Sequence, residues 1–392
     1  MENGNLIRSI LAWLTGLAAA CALVLSPGCS KQVLNKEAAR GLAKDPYPIA
    51  PKNMAPVLRV LVWPDTLLEE NKEGFERRYG VKLEIDTFIN DDDAYGKITR
   101  EPSRWDLVMV TQYMANRMRN EGLLAPVPKI NQHIYQYIDT SLLNQNADPQ
   151  MQYFIPFDYA ALGISFNIDY VAGFPRKWEY LADHKNNPYL YGRIVMTDDM
   201  RYAMAVAMLY TGLDPASTNP QDIKTAKEML IRNVRNLGLR FLPDAKIRTA
   251  MVSGEALLAI TWSGEAAAIL RKKPACRFLI PEGKCVVTVD GFCIPRGSAS
   301  PETAALFIEY MLHPYNSMLV ANGCQYASVN LRTMKYVDRF VINGPSCMLA
   351  PPQDQIHMTQ LDREELRLYQ EAWAEVKRAA LDANRVQMIP LQ

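Results

Sequence analysis

Aromatic and acidic side chains recur at the points where apolar, strand-like runs of this sequence end. These residues are Trp63, Asp65, Thr111, Tyr113, Asp198, Asp199 and Trp262, and Asp290 lies inside the further apolar run CVVTVDGFCIP. Aromatic faces attract cations by about 0.5–2 kcal/mol each, and carboxylates form charge-assisted hydrogen bonds with ammonium groups. The set contains no lysine, arginine or histidine, although an anionic ligand would need such side chains or open helix N-termini. Brought together in one cleft, these residue types would bind an organic cation with an apolar stem.

Each of these residues also has a purely structural interpretation. Asp199 could be the N-cap of the helix that follows it, because aspartate is favoured at that position. Trp63 and Trp262 could be core residues, and Tyr113 could cover a helix start. A purely structural role is hardest to assign to Asp290, since a buried carboxylate within an apolar strand needs a partner. The prediction of a cation site therefore rests on the joint position of the residues at strand ends.

Motifs for catalysis and for a resident metal are missing from the sequence. There is no GxSxG, no glycine-rich phosphate loop before a helix and no HExxH. Four histidines and the lack of a CxxC pair disfavour zinc, and DDDAY at 91–95 lacks the glycine and final glutamate of an EF-hand loop. Paired acids can hydrolyse glycosides, but nothing here fixes such a pair at a defined separation. We therefore expect a protein without catalytic activity, metal or other cofactor.

Strand-like and helix-like segments alternate from residue 57 onward and must position these side chains. Such alternation predicts right-handed crossovers and mostly parallel sheets, whose ligands bind beyond the carboxyl ends of the strands. The chain has 392 residues, of which 49% are hydrophobic, enough for a large core and two lobes. The long apolar segment YFIPFDYAALGISFN at 153–167 could pass from one lobe to the other.

The first thirty residues have the layout of a secretory signal. Arg8 precedes an apolar run at 10–25, and small residues lead to Cys29. The run is short for a bilayer span, which needs about 17–25 residues, although an uncleaved anchor helix is the alternative. The segment is similar to a bacterial lipoprotein signal with Gly28 before the cleavage point and Cys29 as the lipidated residue. Residues 31–56 mix charge with proline and lack periodicity, which predicts a flexible tether.

Charge and cysteine content limit the partners and the cross-links. The formal net charge is +1 without a basic block, so we expect no binding to nucleic acid. Removal of the signal and lipidation of Cys29 would leave an odd set of five cysteines, at least one of them unpaired within the chain. This set is Cys276, Cys285, Cys293, Cys324 and Cys347. Cys276 and Cys285 could be joined across a hairpin, or the thiols could be buried and free.

Six blocks of the sequence resemble the periplasmic spermidine/putrescine-binding proteins of ABC transporters. In order, they are VLVWPD, WDLVMVTQYMANRMRNEGLL, YFIPFDYAALGISFN, IVMTDDMRYAMAVAMLYTG, SGEALLAITWSGEA and VDGFCIPRGSASPETAALFIEYMLHP. The resemblance implies an α/β, two-lobe periplasmic-binding-protein fold of type II, with the ligand cleft between the lobes. The implied bounds are 1–28 for a signal peptide, 29–56 for the tether, 57–160 plus 291–336 for lobe 1, and 166–285 plus 342–392 for lobe 2.

The resemblance also implies a set of ligand-binding positions. They are Trp63, Asp65, Thr111, Tyr113, Asp199, Tyr202, Trp262, Asp290, Tyr326 and Gln360. Trp63 matches an aromatic wall, and Trp262 matches a tryptophan that stacks on the methylene chain of the ligand. Asp65, Asp199 and Asp290 match acids that hold amines. The other positions match residues that line the cleft or make polar contacts.

Two positions depart from the family's pattern. Tyr202 stands where the family has an acid, three residues after the matched Asp199. Thr288 stands where the family often has a tryptophan, two residues before the second matched aspartate. One lost carboxylate implies that fewer amines are held or that the cation differs, and Asp158 is a candidate for a replacement charge. Asp198 is interpreted as a helix-start residue rather than a ligand contact.

Taken with the signal, the resemblance implies a lipid-anchored, monomeric receptor in the periplasm. It would capture a polyamine between its lobes, close over it and deliver it to the permease of an ABC transporter. The alternatives are a ferric-ion or other cation receptor of the same fold, and a sensor or scaffold without a transport role. Tyr326 and Tyr113 keep the ferric alternative open, although an adjacent Tyr–Tyr pair is missing. A secreted hydrolase is disfavoured by the missing nucleophile motif.

Overall fold

The computed structural model describes residues 41–143, 148–171, 176–178 and 188–387. The predicted signal peptide, Cys29 and the start of the predicted tether lie outside the described residues. Within the described part of the chain, no helix has both the length and the apolar character that a bilayer span requires.

The described chain alternates between strands and helices, as the sequence predicts. The strands are β1 (Val57–Val62), β2 (Lys82–Thr87), β3 (Leu107–Thr111), β4 (Leu124–Ala125), β5 (Ile155–Asn167), β6 (Ile194–Thr197), β7 (Arg240–Leu242), β8 (Leu258–Trp262), β9 (Cys276–Leu279), β10 (Cys285–Pro295), β11 (Ala327–Ser328) and β12 (Gln355–Ile356). The α-helices are α1 (Glu69–Tyr79), α2 (Asp91–Arg100), α3 (Gln112–Asn120), α4 (Met200–Tyr210), α5 (Pro220–Leu237), α6 (Asp244–Ser253), α7 (Ser263–Lys272), α8 (Pro301–Leu312), α9 (Pro314–Cys324), α10 (Arg339–Ile342) and α11 (Arg363–Gln387). Short 3-10 helices lie at Gln132–Tyr137, Thr140–Leu142, Pro188–Leu190, Thr333–Lys335, Pro345–Cys347 and Pro352–Asp354.

The strands form two parallel groups that are joined by two long antiparallel strands. Along the sheet the order is β2-β1-β3-β10-β5-β8-β6-β7. Strand β1 is parallel to β2 and β3, and β6 is parallel to β7 and β8. Strand β10 is antiparallel to β3 and to β5, and β5 is antiparallel to β8. The predicted parallel pairs are therefore present, one group in each lobe, and antiparallel strands connect them.

Strand β5 runs through both lobes. Its residues 155–161 pair with β10, which itself pairs with β3 of the first group. Its residues 162–166 pair with β8 of the second group. Segment 153–167 thus passes from one lobe to the other, while the exact lobe bounds given above stay a prediction.

The core surrounds the sheet and explains the long apolar runs of the sequence. Strands β3, β5 and β10 are buried at every position, as expected for strands covered on both faces. Helix α8 is buried from Thr303 to Leu312 and α4 from Met200 to Met208, so these helices are covered by the protein nearly all round. Among the described residues, most buried apolar side chains of both lobes belong to one large cluster, and two smaller clusters lie beside it. Their close packing makes the sheet a rigid support for the strand ends.

Part of the predicted tether is packed against the folded chain. The Tyr47 ring stacks on His313, with 3.9 Å between ring centroids. Arg332 Nη2 lies 2.7 Å from Asp45 Oδ1. Residues 41–56 are therefore held by ring and ion contacts, so a free tether over this stretch, expected from its lack of periodicity, is not what the structure shows.

The described cysteines are free thiols, and the cross-link between Cys276 and Cys285 is not formed. Cys276 is paired with Asn167 of β5, whereas the Cys285 thiol donates to the Leu162 carbonyl oxygen at 3.4 Å. Five residues of extended strand separate those two neighbours by ~16 Å. This separation exceeds the reach of a disulfide, so the alternative of buried free thiols is correct for this pair.

Candidate functional site

Short turns connect strand ends directly to helix N-termini around one cavity. Thr111 ends β3 and caps α3, since its Oγ1 accepts a hydrogen bond from the Met114 N–H at 3.2 Å. Asn90 caps α2 after β2, and its Oδ1 accepts from the Asp93 N–H at 3.0 Å. Such side-chain caps satisfy N–H groups that the first helical turn leaves unpaired. The caps therefore fix the strand-to-helix corners that form the cavity wall.

The cavity has a volume of about 350 Å³ and receives residues from both lobes. Eight of the ten predicted ligand-binding residues line it: Trp63, Asp65, Thr111, Asp199, Tyr202, Trp262, Asp290 and Tyr326. The structure thus brings together strand ends that are distant in sequence. The ligand-binding role of these residues stays a prediction.

Tyr113 and Gln360 are not among the residues that line this cavity. The Tyr113 side chain is buried, with the Arg201 guanidinium 5.3 Å from its ring centroid. Burial raises the pKa of Tyr113 to about 12. The Gln360 Oε1 atom accepts a hydrogen bond from Asn120 Nδ2 at 2.5 Å. Both side chains are therefore engaged with protein groups outside the cavity.

The two adjacent aspartates after β6 have different partners, and only that of Asp198 differs from the expectation. Asp199 is the N-cap of α4, and its Oδ1 accepts from the N–H groups of Arg201 at 2.9 Å and Tyr202 at 3.2 Å. Asp198 accepts two hydrogen bonds of 2.6 Å from Lys377 Nζ on α11. The expectation that Asp198 starts the helix is wrong, because the extended backbone at Asp199 turns that side chain onto the helix N-terminus. Asp199 combines the cap role with a position in the cavity wall.

Carboxylates dominate the charge of the cavity lining. The acids are Asp65, Asp93, Asp158, Asp198, Asp199, Asp244, Glu265 and Asp290, and the cations are Lys97 and Arg248. Lys97 lies 3.8 Å from Asp93, and Arg248 pairs with both Asp65 and Glu265. With Asp198, which pairs with Lys377, four of the eight acids are therefore matched by a lysine or arginine of the protein.

The other four acids are Asp158, Asp199, Asp244 and Asp290, and among the described residues none of them forms an ion pair with lysine or arginine. The Oδ1 atoms of Asp158 and Asp244 are buried and accept no hydrogen bond within the described structure. Asp158 of β5 lies directly opposite Asp290 of β10 in the antiparallel register. Two acids on facing strand positions repel each other when both are charged, so this part of the cavity favours a cation.

Burial raises the pKa values of these four carboxyl groups. The pKa of Asp158 rises to about 8, and those of Asp199 and Asp244 rise to about 7, with desolvation as the largest cause. Desolvation and the Asp158 charge raise the pKa of Asp290 well above its ordinary value. The apo cavity therefore holds protons at neutral pH that a bound cation would displace.

Aromatic rings form the remaining walls. Tyr202 packs edge-on against Trp262, with 4.7 Å between centroids and 88° between planes. Trp63 packs against Phe88 at 4.3 Å. Tyr202, which replaces the family's acid, therefore supports the Trp262 ring. Rings in these positions can pack on methylene groups and attract ammonium groups.

Sequence reasoning missed Asp244, Glu265, Arg248 and Lys97, and it weighed Asp158 only as a replacement charge. Asp244 follows β7, so the strand-end rule that found the other acids would also have found it. Glu265 lies in the first turn of α7, three residues after Trp262, a spacing that puts both near one helix start. Arg248 and Lys97 carry no comparable sequence signal, because their position in the cavity depends on which helix faces which strand end.

A glycine on α7 allows Tyr326 to reach the cavity wall. A Cβ atom at Gly264 would overlap the Tyr326 ring. We expect Gly264→Ala to displace this ring, reducing stability by about 1–3 kcal/mol and weakening ligand binding. Thermal unfolding and calorimetry check both effects. Gly41→Ala is the control, since a Cβ there has no heavy atom within 4 Å; equal behaviour of the two variants would contradict the packing role of Gly264.

Within the described ranges, no group of three or more His, Cys, Asp or Glu side chains is arranged to hold a metal ion. Tyr113, one of the two tyrosines on which the ferric alternative depends, is outside the cavity lining.

Known proteins resemble the chain in sequence and in fold. Residues 72–332 match the family described as bacterial extracellular solute-binding protein. The spermidine/putrescine-binding periplasmic protein of Salmonella typhimurium is 26% identical over 284 residues, which are 72% of this chain and 79% of that relative. The putrescine/agmatine-binding protein of Pseudomonas aeruginosa is 23% identical over 303 residues, covering 74% of this chain and 82% of that relative. The crystal structure of a Treponema pallidum lipoprotein superposes with a TM-score of 0.69 and 23% identity, covering 82% of this chain and 99% of that structure.

These matches confirm the two-lobe periplasmic-binding-protein fold predicted from the sequence. The family match covers more than half of the chain and includes strand ends from both lobes. Members of this family bind a solute without transforming it, which agrees with the lack of catalytic motifs. The chain is a solute-binding protein, not an enzyme, and it belongs to the bacterial extracellular solute-binding protein family.

Proposed function

We propose that this protein captures a polyamine in the cavity between its lobes and delivers it to the permease of an ABC transporter. The observation that carries the proposal is a group of four carboxyl groups that form no ion pair with a protein cation in one aromatic-walled cavity, with the Asp158 and Asp290 residues buried. A buried, unpaired carboxylate is costly, and a cationic ligand removes that cost by supplying the missing charge. The ligand is thus expected to carry at least two ammonium or guanidinium groups.

Size and shape support a flexible aliphatic cation. A volume of about 350 Å³ falls at the small end of ligand pockets, which span about 300–1,000 Å³. Acids at Asp290 and Asp199 provide contacts for charged ends, and the Trp262 and Trp63 rings provide apolar surface for the stem between them. Relatives whose names include spermidine, putrescine or agmatine support this ligand class.

Contacts across the cavity mouth support capture by closure of the lobes. Arg248 Nη2 lies 2.7 Å from Asp65 Oδ2, and Asn90 Nδ2 donates to the Asp198 carbonyl oxygen at 3.3 Å. Both contacts join residues of different lobes. Closure excludes water from the cavity, which strengthens each ion contact with the ligand.

We further propose that the protein acts as a monomer in the periplasm, anchored by lipid at Cys29 after removal of residues 1–28. The sequence layout supports this, and one structural relative is named a lipoprotein. Residues 41–56 are packed on the folded chain. The lobe bounds 57–160 plus 291–336 and 166–285 plus 342–392 belong to the same proposal.

Titration calorimetry with putrescine, spermidine and agmatine tests the ligand class. We expect binding of at least one of them with a Kd of about 1 μM, a gain of ~8 kcal/mol. 1,4-Butanediol has the length of putrescine without its charge and is the matched control ligand. A lack of heat from all three amines at millimolar concentration, with the protein folded, would disprove the polyamine proposal but leave the family assignment intact.

A further inference from the structure

A guanidinium group of the protein occupies one part of the acidic cavity. Arg248 lies on α6, with Nη2 2.7 Å from Asp65 Oδ2 and Nε 3.2 Å from Glu265 Oε2. Asp65 follows β1 in one lobe, and Glu265 lies in the first turn of α7 in the other. One arginine thus contacts two acids that the cavity presents from opposite sides.

Burial makes this pair of contacts different from a surface salt bridge. The Arg248 side chain is 19% exposed and the Glu265 side chain 10%, whereas the Asp65 side chain, at the rim, is 65% exposed. A buried carboxylate such as Glu265 requires a cation, and the guanidinium supplies it without the entropy cost of recruiting a free ligand. The backbone supports this arrangement, because Asp65 adopts a left-handed φ of 64° immediately after the strand end.

The cavity therefore has two chemically distinct parts. In one part, Asp65 and Glu265 share the single positive charge of Arg248. In the other, Asp158 and Asp290 face each other without a protein cation, and the Asp244 Oδ1 atom is unpaired within the described structure. An incoming cation gains most from the second part, whereas an ammonium group near Glu265 would have to displace Arg248 and would meet its positive charge.

We propose that Arg248 is a specificity-determining residue that restricts the ligand to short dications by taking the acids that a third ammonium group would otherwise use. This inference rests on the proposed polyamine function and deepens it. Arg248 acts as a fixed internal cation, so the protein prefers a diamine such as putrescine to a longer triamine such as spermidine. Removal of the guanidinium frees two carboxylates and the space for the third amine.

A merely structural role for Arg248 makes a different prediction. The Asp65–Arg248 contact joins the lobes, so its loss could weaken closure over any ligand. That effect would change the affinities for putrescine and spermidine by the same factor. The ratio of the two dissociation constants therefore separates charge exclusion from closure.

The test is the ratio of the spermidine and putrescine dissociation constants, measured by calorimetry on the wild type, Arg248→Met and Arg248→Lys. We expect Arg248→Met to shift the ratio in favour of spermidine by about tenfold or more, the value of one charge-assisted contact. Arg248→Lys keeps the charge and should retain the preference for putrescine. Arg367→Met is the matched control, since Arg367 also bridges two acids, Glu364 and Glu371, but on the exposed surface.

The possible results distinguish this inference from the proposed function. Wild-type protein that binds both amines, with an unchanged ratio in Arg248→Met, would overturn the role of Arg248 and leave the polyamine function standing. Failure of the wild type to bind any polyamine would overturn both. If Arg248→Met does not fold, the same ratio of dissociation constants is measured on Arg248→Gln, which can still hydrogen-bond Glu265. An unchanged ratio in Arg248→Gln would also overturn the role of Arg248.

Discussion

Asp158→Asn combined with Asp290→Asn is expected to remove polyamine binding while making the ligand-free protein more stable. The two carboxylates face each other across β5 and β10, with residue exposures of 6% and 9%. Each charge-assisted contact to the ligand contributes about 1.5–3 kcal/mol. Loss of two contacts should therefore weaken binding by about 10²–10⁴-fold.

The same change should stabilise the apo protein for the opposite reason. Burial of two facing acids costs free energy, and their uncharged amides avoid both the repulsion and the desolvation of charge. We expect the free energy of unfolding at about pH 8 to rise by ~1–4 kcal/mol. Such a trade-off between stability and function is typical of binding sites whose charged groups are left without partners until the ligand binds.

Calorimetry and chemical denaturation measure the two effects on one protein preparation. Glu364→Gln combined with Glu371→Gln is the matched control, because it removes two acids from the exposed face of α11. A double aspartate variant that is less stable than the wild type would show that these carboxylates hold the fold together. Retained polyamine affinity would exclude them from the binding site.

Ligand affinity is expected to fall as the pH is lowered from about 8 to about 6. The pKa of Asp158 is raised to about 8 and those of Asp199 and Asp244 to about 7, so these groups take up protons across this range. An aliphatic ammonium group stays charged there, since its pKa is about 10. For each proton that the ligand must displace, the affinity falls by about tenfold for every pH unit that the pH lies below the pKa of that carboxyl group.

The stability of the ligand-free protein should change in the opposite direction. The folded-state pKa values of these acids lie above their unfolded values, so the folded protein binds more protons than the unfolded chain. Their contribution to stability is greatest below the unfolded pKa, near 4, and is lost as the pH rises through 7 to 8. Lower pH should therefore favour the apo fold while it weakens binding.

Calorimetry in two buffers of different ionisation enthalpy counts the protons released on binding. We expect about one to two protons at pH 7. The number should be smaller in the Asp158→Asn, Asp290→Asn variant at high ligand concentration, where only Asp199 and Asp244 still release protons. Affinity that stays constant between about pH 6 and pH 8 would contradict the view that buried, protonated carboxyl groups receive the ligand.

The sequence was sufficient for the fold class and for most of the cavity wall, because the relevant signals are local. An apolar run followed by a polar cap and a helix defines a strand end within a few residues, as at Thr111 and Asp199. Parallel strands then bring such ends together, and eight of the ten positions implied by the family resemblance line the cavity. The resemblance of whole blocks to one family added which residues near these strand ends are expected to contact a ligand.

The wrong or incomplete predictions concern side chains whose partners are distant in sequence. Local preference favours an aspartate near a helix start, but it does not tell Asp198 from Asp199. In the structure Asp199 caps the helix, and Lys377 of the C-terminal helix pairs with Asp198. Tyr113 similarly follows a strand end, yet Arg201 of the other lobe covers its ring.

The sequence by itself determined that this chain is an α/β solute-binding protein with acids and aromatic rings at its strand ends. Only the tertiary structure decided which of those acids already pair with a cation of the protein. Arg248 and Asp65 are 183 residues apart, and the register of β5 against β10 places Asp158 opposite Asp290. Two charges compensate each other when they lie within a few ångströms in space, and the distance between two residues along the chain does not predict this separation. The number of positive charges that the cavity can still accept is therefore a property of the folded protein.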